Sequence, residues 1–397
     1  MRLPPSVIAL GVVSFFTDFS SEMIYPLLPV FLSSVLGAGA LALGIIEGIA
    51  ESTAALFKVV SGIWTDRSGR RKPFILAGYS LAGLARPLIG LATAWPFVLA
   101  MRFADRIGKG LRTSPRDALI AGVTEPDQRG VAYGFHRSMD HAGAVIGPLV
   151  AAGLLASTGM SLRQVFLLAA IPAALVIVVL VAWVREPVAE FEKDPQSPPL
   201  KSHWSDLGSE FKFLLLALLV FTLGNSTDAF LLLRLSNAGI PATWTAVLWS
   251  LHHVVKMASA YWGGHLSDRF GRRRMIIFGW TVYAAIYLAF ALVDSPTVLI
   301  AVFLAYGIYF GLTEPSEKAW VADLVPAHLR GTAFGYYNGV IGLGALPASL
   351  IFGFLWQTWG VTSAFLTGAG FAAVASALLL VFLRPPDPRR PKESLRR

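Results

Sequence analysis

Gly62-Ile63-Trp64-Thr65-Asp66-Arg67-Ser68-Gly69-Arg70-Arg71-Lys72 is a short, strongly basic turn between two long apolar runs. It recurs as Gly264-His265-Leu266-Ser267-Asp268-Arg269-Phe270-Gly271-Arg272-Arg273-Arg274, 202 residues later in a chain of 397. Two copies at equivalent places, each between apolar segments, mark a duplicated chain whose halves cross a membrane repeatedly.

Composition agrees. Hydrophobic residues make up 55% of the chain and charged residues 14%, where a soluble domain carries about 25% charged residues. Mean hydropathy is +0.62, so much of the surface must face lipid. A spanning helix needs about 20 apolar residues. The chain divides into twelve such runs, at residues 7–34, 41–64, 74–92, 95–120, 131–157 and 162–184, then 211–235, 243–266, 275–293, 297–321, 332–356 and 362–383. The predicted fold is an all-α membrane protein with twelve transmembrane helices in two pseudo-symmetric six-helix bundles. The predicted divisions are a first bundle (1–184), a polar, proline-bearing cytoplasmic linker (185–210), a second bundle (211–383) and a basic cytoplasmic tail (384–397).

The net charge of +9 does not signal nucleic acid, because the basic residues concentrate in alternate short loops and the tail. Arg67, Arg70, Arg71, Lys72, Arg129, Arg185, Lys193, Lys201, Arg269, Arg272, Arg273, Arg274 and Arg330 fall on one side, and only Arg163 and Arg234 are clear on the other. The positive-inside rule puts both termini in the cytoplasm, as in a multi-pass protein of a prokaryotic inner membrane. Met1-Arg2-Leu3-Pro4-Pro5 enters the first span without a cleavage-like site, so no removable signal peptide is expected. With no cysteine, no P-loop pattern and no His-Glu-x-x-His, the sequence offers no thiolate metal site, ATPase or zinc chemistry. No metal or other cofactor is expected, the protein reads as no enzyme, and energy must come from a gradient.

The halves match beyond the basic turn. Thr17-Asp18 answers Thr227-Asp228, Arg129-Gly130 answers Arg330-Gly331, and Tyr133-Gly134 answers Phe334-Gly335. Parallel six-span repeats place a binding site at the midplane between halves.

With these features the chain resembles the major facilitator superfamily over essentially its whole length. The carriers are the G-x-x-x-D-R-x-G-R-R/K turn after span 2, its copy after span 8, and the six-plus-six plan. Gly143-Ala144-Val145-Ile146-Gly147-Pro148 in span 5 looks like the antiporter signature of proton-coupled drug exporters, and is thought to limit leak. Arg102-Phe103-Ala104-Asp105-Arg106-Ile107-Gly108 in span 4 resembles a second signature of that branch, with Asp105 and Arg106 as departures. The resemblance implies gating by the basic turns. Asp66 would meet the start of span 11 near Gly331, with Arg112 or Arg116 completing the cluster. Asp268 would meet the start of span 5 near Gly130. Gly62, Arg67, Gly69, Arg70, Gly264, Arg269 and Gly271 belong to these latches, which would hold the cytoplasmic side shut.

Charged residues inside spans are functional candidates by default. Asp18 and Glu22, four apart, share a face of span 1 and suit proton binding and release. Asp228 is the pseudo-symmetric partner of Asp18. Arg102 is a fixed cation suited to tuning a nearby carboxylate. Arg137, Asp140 and His141 form one local cluster in span 5, where a histidine can titrate near neutral pH. Glu47, Glu51 and Lys58 share a face of span 2, which suits a charge network between helices. Glu314 and Glu317 are candidates to pair with the cations of span 8, which carries His252, His253 and Lys256. Adjacent histidines point different ways on a helix, which argues against a metal site. Phe15, Phe19, Tyr25, Trp249, Tyr306, Tyr309 and Tyr336 are candidate aromatic lining.

These residues predict a secondary transporter, a proton-coupled exporter of a small organic molecule working by alternating access. The many interior cations favour an amphipathic, anionic, zwitterionic or siderophore-like substrate. The expected partners are that molecule, protons and the bilayer, with the protein a monomer and no nucleic acid bound. The alternatives are a proton symporter importing an organic anion or nutrient, and a lipid flippase or membrane receptor on the same fold.

Overall fold

The computed structural model describes residues 3–38, 40–186, 202–240 and 242–382. The predicted tail and most of the predicted linker lie outside them. Among the described residues there is no strand, and helices make twelve crossings. The first half consists of α1 (Pro5–Val35), α2 (Ala40–Ser68), α3 (Lys72–Leu91), α4 (Trp95–Gly122), α5 (Arg129–Thr158) and α6 (Leu162–Trp183). The second consists of α7a (Ser209–Gly224) and α7b (Ala229–Asn237), α8 (Ala242–Phe270), α9 (Arg272–Leu292) and α10 (Pro296–Leu324), followed by α11 and α12. The last two run as one helical stretch, Arg330–Phe382, broken at Gly360, whose φ of 86° ends α11 and lets α12 begin.

Seven stretches are long and apolar enough to cross a membrane by composition alone: α1, α3, α5, α6, α9, α10 and the α11–α12 run. The other crossings carry charges or histidines (α2, α4, α8) or a break (α7).

Proline and glycine set the breaks. Pro26 and Pro29 withhold N–H donors, so α1 is regular only through Glu22 and continues as a 3-10 turn at Tyr25–Leu27. Gly69 (φ 65°) and Gly271 (φ 92°) end α2 and α8 in the conformation that glycine alone adopts cheaply. Glu186, just past α6, accepts from the N–H groups of Arg71 (2.6 Å) and Lys72 (3.0 Å), pinning the start of the linker to the positive end of α3. At the opposite end of the bundle, Arg163 donates to the carbonyls of Gly90 and Ala92 that finish α3, and Arg234 to those of Phe290 and Val293 that finish α9.

Candidate functional site

The halves meet along two seams, α2 on α11 and α5 on α8. Both rest on backbone packed against backbone. A Cβ on Gly62 would collide with the Gly331 carbonyl, and one on Gly264 with that of Gly130. The approach continues through Gly335 against Val59 and Gly342 against Ala55 on one seam, and through Gly134 against Ala260 on the other.

At the end carrying the basic turns, an aspartate closes each seam. The Asp66 carboxylate accepts from the N–H groups of Gly331 (2.9 Å) and Thr332 (2.6 Å). Asp268 accepts from Gly130 (2.9 Å) and Val131 (2.7 Å). Each carboxylate thus caps the N-terminus of a helix from the other half, where free N–H groups and the helix dipole favour an anion. The surroundings differ. Arg272 binds Asp268, donates to the Pro126 carbonyl (2.6 Å) and reaches Asp323 (3.3 Å), which Arg129 also binds. Beside Asp66, Arg71 donates to the Ala327 carbonyl at 3.2 Å. Arg70 is exposed, and Arg269 lies over the Phe270 ring at 5.5 Å.

Farther in, the charged side chains of the first half form a buried cluster. Asp105 accepts from Arg86 (2.7 Å) and the Tyr25 hydroxyl (2.5 Å), with Arg102 at 3.5 Å and Arg106 at 3.7 Å. Arg86 also donates to the Thr17 carbonyl, and Arg102 stacks over Tyr25 at 4.0 Å. Glu51, its side chain 65% exposed, pairs with Arg106 at 3.3 Å. Glu51 lies fifteen residues from Asp66 on α2, about 22 Å at 1.5 Å per residue.

Asp18 and Glu22 lie on α1 against the Gly143–Gly147 face of α5. A Cβ on Gly143 would stand 3.1 Å from that of Asp18, and one on Gly147 2.9 Å from that of Glu22. Neither carboxylate has a hydrogen bond or ion pair among the described residues. One turn along, Asp140 accepts from the Ser14 hydroxyl and from Arg137 (2.7 Å). Arg137 also grips Glu314 of α10 with two bonds, at 2.5 and 2.6 Å, so one guanidinium spans both halves. A second inter-half pair, Lys318 with Asp117 at 2.8 Å, lies nearby. Asp228, at the break in α7, accepts from the Tyr306 hydroxyl (3.1 Å) and Lys256 (3.5 Å).

These observations have a counterpart among known proteins. The family model described as Major Facilitator Superfamily matches residues 10–255 and 237–397. The chain belongs to the Major Facilitator Superfamily. It is 33% identical over 388 residues to an uncharacterized MFS-type transporter of Methanocaldococcus jannaschii, covering 96% of each chain. It is 24% identical over 345 residues to the multi-drug resistance efflux pump PmrA of Streptococcus pneumoniae, covering 83% of this chain and 85% of that one. Among solved structures, the human organic anion transporter TETRAN superposes with a TM-score of 0.82 at 16% identity, over 95% of this chain and 100% of that one. The Escherichia coli fucose:proton symporter superposes at 0.80 with 15% identity, over 96% and 98%. At such identity these two show the fold alone. The protein is an integral membrane transporter rather than an enzyme, and its superfamily binds small-molecule substrates.

Several of the residues expected for a major facilitator site sit elsewhere than anticipated. Arg112 and Arg116 do not join the Asp66 latch. Arg112 stacks on Tyr79 of α3 at 4.2 Å, and Arg116 binds Asp117 at 3.0 Å and reaches the Tyr79 hydroxyl. Their shared face of α4 turns into the first bundle, and Arg71 takes the place expected of them. Glu314 and Glu317 do not pair with the cations of α8, since Arg137 takes Glu314 and the Tyr337 hydroxyl takes Glu317 (2.9 Å). His141 leaves the Arg137–Asp140 pair and faces His253 across the seam, ring centres 5.5 Å apart, while His252 stacks on Tyr306. Tyr336 packs on Trp204, away from the interior. The Glu47 side chain lies outside the described residues. Sequence reasoning passed over Arg86, His136 and Asp323. Arg86 stands alone before Pro87 in an apolar run, and that isolation was the available signal.

Proposed function

We propose that this transporter exports a small organic molecule in exchange for protons. The observation that carries the reading is the placement of Asp18 and Glu22. They are carboxylates inside a span, without ion-pair partners among the described residues, packed against the Gly143–Gly147 stripe. A lone carboxylate at that depth is costly when charged and is suited to carrying a proton. Asp140, one turn away, holds Arg137, and Arg137 ties the halves through Glu314. Proton arrival in this group weakens the hold of Asp140 on Arg137 and so biases the inter-half tie. The Gly143–Gly147 packing keeps α1 and α5 in contact, which limits leak past the carboxylates. Kinship with PmrA, an efflux pump by name, favours export.

In this reading the basic turns face the cytoplasm. Asp66 and Asp268 are the latches of the cytoplasmic side, and the present arrangement is open outward, with Glu51 in water. Arg102 and Arg106 fix the electrostatics of the outer cavity. Asp228, held by Lys256, is the weaker candidate for proton binding.

The reading is tested by transport through Asp18→Asn and Glu22→Gln variants in proteoliposomes. The expected result is loss of uphill, proton-driven movement with downhill exchange retained. Uphill transport at the normal rate in both variants would remove α1 from coupling.

A further inference from the structure

His136 is fully buried in α5, and neither of its ring nitrogens has a hydrogen bond among the described residues. Leaving a buried polar group unpaired is destabilising, and few native groups are left so. The ring stands between two ionic ties that join the halves. On one side, Nδ1 lies 3.8 Å from Oδ2 of Asp140, which holds Arg137 and through it Glu314. On the other, Tyr133, three residues earlier on the same face of α5, donates to the Asp117 carbonyl (2.6 Å). Asp117 Oδ2 accepts from Lys318 (2.8 Å), and Oδ1 accepts twice from Arg116 (3.0 and 3.1 Å). The charges that act first on His136 are Arg116 and Asp117 of α4, Lys318 of α10 and Arg137 of its own helix. Beyond them, Asp18 and His141 act on Asp140, and Lys318 acts on Lys58.

Each charge next to His136 already has a partner of opposite sign. A proton on the ring therefore adds a buried charge with no unclaimed anion, which is costly. It is met only by drawing a carboxylate out of one of the ties. We propose that His136 is a proton-handling residue that releases the Asp117–Lys318 tie. The proton passes from the protonated carboxyl of Asp140 to Nδ1. The O–H bond breaks, an N–H bond forms, and Asp140 is left as the carboxylate that Arg137 holds. The imidazolium then takes Oδ2 of Asp117 through its Nε2–H, and Lys318 loses its anion. The halves part at α4 and α10, at the end carrying the basic turns. The proposal rests on the export reading for the source of the proton. In that reading a proton taken from outside must open the inner side for substrate, and this step does so.

The test is the distance between spin labels at positions 125 and 328, which are exposed just past α4 and α10. It is made on the full-length protein in nanodiscs, without substrate or gradient. The open fraction of the labelled parent is expected to rise about tenfold from about pH 8 to about pH 5, the range in which a histidine titrates. His136→Gln is expected to lose most of that rise and to keep the closed distance at the alkaline end, which also checks its fold. His253→Gln, which removes the histidine pair across the α5–α8 seam, is expected to respond as the parent does. Equal opening in His136→Gln, an open distance in it at the alkaline end, loss of the response in His253→Gln, or no opening of the parent would each overturn the proposal. At equilibrium the route of the proton does not matter. Asp18→Asn is therefore expected to keep the response while losing coupled transport, so this proposal and the export reading fail separately.

Discussion

At the α2–α11 seam, Asp66 binds two backbone N–H groups, and Arg71 serves a neighbouring carbonyl. At the α5–α8 seam, Asp268 binds two backbone N–H groups at nearly the same distances, then adds Arg272, Asp323 and Arg129. The correspondence between the halves explains the difference. Arg272 corresponds to Arg70, and Asp323, seven residues before Arg330, corresponds to Gly122, seven before Arg129. With no acid at position 122, Arg70 lacks the counterpart of Asp323 and is exposed. Duplication preserved the capping geometry, and one carboxylate in the second half gives its seam two further ion pairs. The seams should therefore part unequally, α2–α11 first.

Distances between spin labels at positions 70 and 328 for one seam, and 127 and 274 for the other, measure that inequality. The largest effect is expected from Gly62→Val and Gly264→Val. Each side chain meets a carbonyl of the opposite half, and overpacking of this kind depopulates the closed state by about 100-fold. Equal effects here would show that the two seams share their backbone packing and differ only in charge.

Next come Asp268→Ala and Asp66→Ala. Both lose two bonds to a charged acceptor, and Asp268→Ala also loses Arg272, so it should open its seam about tenfold further. Equal opening would refute the asymmetry. A smaller change, about two- to fivefold, is expected from Asp323→Ala, because that side chain is partly exposed and its pairs are screened. Its effect should shrink as salt rises, whereas that of Asp66→Ala should not. The smallest belongs to Glu186→Gln, which loosens the cap on α3 by about 1 kcal/mol and should leave both seam distances unchanged. Thermal unfolding reads that loss.

Much of this plan was legible in the sequence because duplication writes each feature twice. The basic turns, the Asp18 and Asp228 positions and the glycine stripe are each local patterns. The partner of Asp66 was legible only in part. Helical spacing shows that Arg112 and Arg116 share a face, yet cannot tell whether that face looks at the latch or into its own bundle. The Arg137–Asp140 pair could be read from a spacing of three, but its grip on Glu314 depends on how two halves dock. Asp105 and Arg106 stood out as departures from a familiar pattern. What they do became visible only once Arg86 and Tyr25, from two other helices, were seen around the same carboxylate.

The most direct test of proton-coupled export is the internal pH of proteoliposomes while a chemically varied panel of small organic molecules is added outside. Substrate entry with proton exit from the lumen, lost in Asp18→Asn, is the expected result. Proton entry together with substrate would contradict the account and make the protein a symporter.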